Sequence, residues 1–301
     1  MIDDVLIHID PTGQMLLSAI LGLIMFGVAL ELRLGDFVAV FRRPLAPVSG
    51  LVAQTLVLPA VTWAITMLLQ PHPSLALGMI VVAACPGGNL SNLMTHLARG
   101  NVALSVCMTG VSNLMAVITT PLNILFWASL NPATAALLRQ VSIDAGSFLG
   151  STMLLLGLPL GAGMLFVHFM PQWAARLRRP FQYFALLFLI LFIIAAGVAN
   201  GKHFLAFLSQ ILPLVVLHNT IAVLIGWLAA RFWRMDSFNT RAMAIEVSMH
   251  NSGLGLALIL NQFDALGGAA LIAAGWGIWH IISGWALAAW WTWRDRKAAA
   301  A

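Results

Sequence analysis

The residues of this sequence that could do chemistry gather at two interruptions in otherwise apolar runs. The first lies in ACPGGNLSNLMTHLARGNVALSVCMTGVSNLMAVITTP, Ala84 to Pro121, where Pro86, Gly87 and Gly88 break an apolar stretch. Around the break stand Asn89, Ser91, Asn92, Thr95, Ser105 and Thr109, a set of neutral oxygens. Hard cations such as sodium take oxygen ligands. Freed helix ends add carbonyls for cations and amides for anions. The second interruption lies in AIEVSMHNSGLG, Ala244 to Gly255, at Asn251-Ser252-Gly253. It follows Glu246, a carboxylate deep in an apolar run, where an unpaired charge costs at least about 2.5–3.5 kcal/mol. Glu246 therefore needs a cation, or a proton and a backbone partner. His250, four residues on, shares its helix face if the helix is continuous. A Glu and a His at that spacing make half a metal site, but no second His pair or HExxH accompanies them, which sets zinc aside.

These groups need a membrane around them. The chain is 61% hydrophobic and 8% charged, with a mean hydropathy of +0.94. Soluble domains run near 45–50% apolar and 25% charged. Runs long enough to cross about 30 Å of hydrocarbon recur throughout. The fold class is therefore an all-α polytopic membrane protein. Unwound backbone at that depth survives only where protein or a watery cavity satisfies it, so each break marks a cavity. The formal charge of +5 is scattered at the ends of apolar runs, which reads as topology rather than nucleic-acid binding. Cys85 and Cys107 lie inside apolar segments and make no disulfide framework. The start, MIDDVLIHIDPTG, is acidic, against a cleaved signal peptide.

Nine spans are predicted: 15–32, 46–69, a broken 75–98, 102–130 with Pro121 kinking it, 146–168, 181–199, 207–232, a broken 239–261, and 269–293. A loop holds Arg139 and Asp144, and a basic connection holds Arg176, Arg178 and Arg179. With the amino terminus outside, thirteen of the fifteen Lys and Arg fall on the inner side and only Arg139 and Lys202 on the outer. That bias sets the carboxyl terminus inside. Spans one to four and six to nine repeat the same order with opposite entry, each with a broken third member. This is the inverted repeat of many secondary transporters, whose sites lie where the broken helices meet near the midplane.

Several of these side chains have plainer roles open to them. Ser105 and Thr109 can each bond the carbonyl one turn earlier. Gln54, His218 and Asn219 can hold helices together. His280, among Trp276, Trp279 and Trp285, reads as packing and interfacial anchoring, and Cys85 as a small core residue.

CPGGNLSN at 85–92, ARGNVALSVCMT at 98–109 and EVSMHNSGLG at 246–255 resemble the bile acid:sodium symporter (BASS) family, in particular bacterial members. LIMFGVALEL at 23–32 and VVLHN at 215–219 extend the similarity over the whole chain. The resemblance implies a core domain with two crossing broken helices, a panel domain rocking against it, and organic anions carried with two sodium ions. Panel segments would be 1–45 and 131–205, core segments 46–130 and 206–293, with a cytoplasmic tail at 294–301. It implies a first sodium site from Ser91, Asn92, Ser105, Thr109 and Glu246. A second would use Glu246, Gln54, the carbonyls of Val247 and Met249, and the side chain at 250. Asn89, Asn251 and, less directly, His280 would face the substrate. His250 departs from the family's Gln, which puts the second site in question: imidazole offers sodium one nitrogen when neutral and none when protonated. Bacterial members often carry a further span at the start; this pattern matches nine-span members.

The expected protein is a multi-pass symporter of the bacterial inner membrane, not an enzyme. Its substrate would be bile acid-like or a small carboxylate such as pantoate or pyruvate. The competing expectations are proton or mixed coupling through His250, a sensor or channel on the same fold, and an intramembrane enzyme built on Cys85 with His250 or His280.

Overall fold

A computed structural model describes residues 11–32, 44–140, 144–199, 201–263 and 266–300. The expected outer amino-terminal segment and the connection carrying Arg33, Arg42 and Arg43 lie outside the described residues. Helices are the only extended elements among those described. They are α1 (Pro11–Ala29), α2 (Leu45–Leu69), α3 (Pro73–Ala84), α4 (Leu90–Leu97), α5 (Val102–Leu130) and α6 (Pro132–Gln140). After them come α7 (Ala145–Phe169), α8 (Pro171–Ala199), α9 (Gly201–Phe232), α10 (Ser237–Ser248), α11 (Ser252–Gln262) and α12 (Gly267–Ala300).

Five stretches among the described residues are long and apolar enough to cross a membrane: Leu45–Leu69, Val102–Leu130, Ala145–Phe169, Leu208–Phe232 and Gly267–Ala299. Leu68, Leu154, Leu158, Phe169 and Phe232 turn outward. In water such a surface would be a liability; in lipid it is the solvent-facing side. At the centre runs α3, buried on every side from Ser74 to Ala84. A helix apolar all round belongs in the interior.

Local chemistry explains the boundaries. Asn101, Asp144 and Asp236 accept the amides of Leu104, Ser147 and Asn239, satisfying donors that the first helical turn leaves open. Pro59 removes the donor that would meet the Thr55 carbonyl, and α2 widens there into a π turn over Ala53–Val57. The freed Thr55 oxygen accepts from Asn123 of α5 at 3.0 Å. On α9, Gly226 lies against the backbone of Met243 and Ala244, so α9 and α10 meet without intervening side chains.

α1 lies mainly on α7 and also on α8 and α11, and α7 packs on α5. α9 packs on α10 and α12, and α12 on α3 and α11. Three sequence expectations are corrected. The connection after 130 carries a helix, α6, because Pro132 starts a turn whose Ala133 amide is taken by Asn131. The basic connection at Arg176, Arg178 and Arg179 is helical, since α8 begins at Pro171 and Arg176 lies 5.4 Å over the Trp173 ring. The second interruption falls at Met249 to Asn251, earlier than Asn251-Ser252-Gly253, because Asn251 caps α11 by accepting the Leu254 amide.

Candidate functional site

The two interruptions pair with each other through their backbones. Gly88 donates its amide to the Met249 carbonyl at 2.9 Å, and Asn251 donates to the Pro86 carbonyl at 2.8 Å. Gly87 and His250 thus form an antiparallel bridge. The unwound peptides of α3/α4 satisfy those of α10/α11, which answers the cost of open backbone in an apolar interior. Further polar groups finish the task. Thr120 donates to the Ala84 carbonyl at 2.8 Å, and Asn113 donates to the Gly87 carbonyl at 3.1 Å. The Gly87 amide in turn reaches Ser112 Oγ at 3.2 Å.

Glu246, on the last turn of α10, has no exposed surface. Its Oε2 accepts from Ser91 and Ser105 and its Oε1 from Thr109, each at 2.6 Å. Ser91 comes from α4 and the other two from α5, so one carboxylate joins three helices. Hydrogen bonds to a charged group are worth roughly 1.5–3 kcal/mol each, the scale needed against burial of a carboxylate. Thr109 Oγ1 also lies 2.9 Å from the Ser105 carbonyl, so its one hydroxyl proton serves either that carbonyl, the plainer role read from the sequence, or Glu246. Asn92 Oδ1 lies 3.4 Å from Thr109 Oγ1, and Thr95 Oγ1 lies 3.4 Å from Ser105 Oγ. The result is a buried nest of hydroxyl, amide and carboxylate oxygens. That donor set suits a small hard monovalent cation and lacks the soft ligands that transition metals prefer.

The residues expected at a second cation site are gathered more loosely. Gln54, on the π turn, donates to the Glu246 carbonyl at 3.3 Å, while its Oε1 is buried with no hydrogen-bond partner. A buried orphan acceptor beside a carboxylate fits a cation. The Met249 carbonyl accepts from Gly88, and the Val247 carbonyl lies 3.1 Å from His250 Nε2. His250 Nδ1 lies 3.0 Å from the Val82 carbonyl. Its ring therefore spans α3 and α10 and occupies the Val247 oxygen, one of those expected at a second ion.

The substrate-facing candidates do not share one surface. Asn89 opens on a crevice of about 20 Å³ with Glu31, Asn92, Thr109 and Asn113. Asn251 turns its oxygen inward to cap α11. His280 is buried, with Nδ1 2.7 Å from the Trp276 carbonyl one turn earlier. His218 meets Thr62 at 2.7 Å and Asn219 donates to the Ser248 carbonyl at 2.8 Å, both joining helices.

Sequence reading missed Ser112, Asn113 and Glu31 as parts of this region. Asn113 was signalled by its spacing of four from Thr109 on one helix face. Glu31 and Glu246 are the sequence's only glutamates, and Glu31 stands at the end of an apolar run, a signal of the same kind as Glu246.

A bundle with five helices long and apolar enough to cross a membrane, among the described residues, defines a multi-pass membrane protein. The chain matches the Sodium Bile acid symporter family over residues 18–207 and belongs to that family. It is thus a membrane transport protein of the sodium-symport class. It is 34% identical over 281 residues, 93% of this chain and 84% of the other, to the "uncharacterized sodium-dependent transporter YocS" of Bacillus subtilis (strain 168). It is 33% identical over 246 residues to the probable sodium/metabolite cotransporter BASS1, chloroplastic, of Arabidopsis thaliana, covering 79% of this chain and 57% of that protein. Similarity to the ileal sodium/bile acid cotransporter of Homo sapiens is 23% over 257 residues, 82% of this chain and 69% of that one.

Proposed function

We propose that this protein couples sodium entry to uptake of an organic anion by alternating access, with sodium bound at the crossing beside Glu246. The observation that carries this is the Glu246 carboxylate, fully buried and held by Ser91, Ser105 and Thr109 from the facing helices. A cation there offsets the charge and ties α4, α5 and α10 together. Ser91, Asn92, Ser105, Thr109 and Glu246 supply its oxygens. Bound sodium then orders both breaks, and the half-helix beginning after Asn89 offers amide hydrogens to a carboxylate. Substrate and sodium strengthen each other's binding by one shared factor.

In this reading the chain crosses a bacterial inner membrane nine times, amino terminus out and carboxyl terminus in. The panel comprises 1–45 and 131–205, the core 46–130 and 206–293. The substrate is a bile acid-like anion or a small carboxylate such as pantoate, in keeping with relatives named for bile acid and for metabolite cotransport. Asn89 is the substrate's first contact, and Asn251 and His280 flank its path.

A second reading, coupling with one sodium and a proton, is favoured by His250. Both of its ring nitrogens lie on carbonyl oxygens, and only a ring protonated at both nitrogens donates to both. The deciding experiment is thermal stability of the purified protein in sodium against potassium or choline, with pantoate, pyruvate and taurocholate added in turn. Saturable stabilisation by sodium that deepens with one acid supports the symporter. No response to sodium at any pH overturns it.

A further inference from the structure

Glu31 lies in the turn that follows α1, on the crevice it shares with Asn92 and Thr109, and the role proposed above leaves it without a task. Its Oε1 accepts from Asn89 Nδ2 at 2.9 Å and from Gln182 Nε2 at 2.9 Å. Gln182 belongs to α8, beside α1, whereas Asn89 stands at the first break. The carboxylate therefore bridges α8 and the first break. Arg178, also on α8, donates Nε to the Leu30 carbonyl at 2.6 Å and is the neighbouring positive charge.

Asn89 is the residue just before the α4 half-helix, a position where asparagine ordinarily turns inward to accept an amide. It makes no such cap. Its counterpart Asn251 does cap, accepting from Leu254 at 3.0 Å. Asn89 has helical backbone angles instead, and its Nδ2 turns to the Glu31 carboxylate. Glu31 and Asn89 face a crevice of about 20 Å³ that reaches Asn92 and Thr109 of the cation nest. That is room for about one water molecule, so no substrate fits while the bridge is made.

We infer that Glu31 is a tethered carboxylate standing where the substrate's own carboxylate binds. It latches α1 and α8 to the crossing until an acid displaces it from Asn89. This rests on the reading above that an organic anion binds beside Asn89. Displacement leaves Glu31 to Gln182 and Arg178 and frees α1 and α8 from the first break. A neutral substrate cannot compete for the same donor on equal terms, because a carboxylate accepts more strongly than an amide or hydroxyl oxygen. The latch thereby selects for acids.

The test needs no identified substrate. Spin labels replace Leu154 on α7 and Leu228 on α9, both exposed, while Cys85 and Cys107 stay buried. Distance distributions are measured in sodium for the parent and for Glu31→Ala, Glu31→Gln, Asn89→Ala and the Glu31→Ala/Asn89→Ala double variant. Expected is a rise of roughly ten-fold in the longer-distance population for each alanine variant, a smaller rise for Glu31→Gln, and no further rise in the double variant. Superimposable distributions overturn the latch, as do fully additive shifts. Thermal scans of the same samples separate the two ideas: loss of the sodium response in the parent sinks the symporter reading, whereas an unchanged distance with a retained sodium response sinks only the latch.

Discussion

Gly87 sits so close to Glu246 that a β-carbon on it would overlap the carboxylate oxygen Oε1. The first break thus brings bare backbone against this buried carboxylate, and only glycine leaves room. Gly88, one residue on, is different: a β-carbon there meets the His250 carbonyl at 3.4 Å, an ordinary contact. Gly87→Ala is expected to destabilise the protein by about 1–3 kcal/mol, as overpacked sites do, and to abolish stabilisation by sodium. Gly88→Ala should leave both nearly unchanged. Thermal unfolding with and without sodium checks the pair.

Removing the charge itself gives a sharper outcome. Glu246→Gln keeps the shape but loses the full negative charge, and the sodium-dependent shift in Tm should vanish. Ser105→Ala and Thr109→Val each delete one oxygen, and each should weaken apparent sodium affinity roughly ten-fold. Sodium titrations of stability measure this; equal affinities in parent and hydroxyl variants would move the site elsewhere.

His250 bears on stoichiometry. Because its ring takes the Val247 oxygen, the protein should move one sodium per substrate. His250→Gln supplies an amide oxygen and should raise that ratio towards two. Ion-to-substrate flux ratios in proteoliposomes decide it. A parent ratio of two would remove the argument.

Arg241 anchors the far end of the α4 half-helix. Its Nη1 donates to the Ala98 carbonyl at 2.9 Å and to Asp295 at 2.8 Å, and Nη2 completes a two-pronged bond to that carboxylate. Its guanidinium also lies 5.9 Å from the Trp291 ring. Arg241→Met should cost about 1–3 kcal/mol, because it strands the Ala98 oxygen in a buried position. Asp295→Asn should cost less, since the amide can still accept one bond. Denaturation midpoints in detergent rank the two.

The sequence by itself determined the class and much of the site. Apolar runs must lie in lipid, and proline and glycine inside them must break helices. A lone glutamate at depth must find partners, so Glu246 and the oxygens around the first break were legible before any fold was known. Helices over 132–140 and 171–180 were not, because polar and basic residues there mimic a loop while capping and stacking stabilise a helix. Tertiary structure alone decided which oxygens meet. Ser91, Ser105 and Thr109 reach Glu246 from 137 to 155 residues away, a contact that no periodicity encodes. The same holds for His250 between two carbonyls and for Glu31 on Asn89. Spacing along a helix fixes which face a side chain shares, whereas the partner on the facing helix depends on how the helices cross.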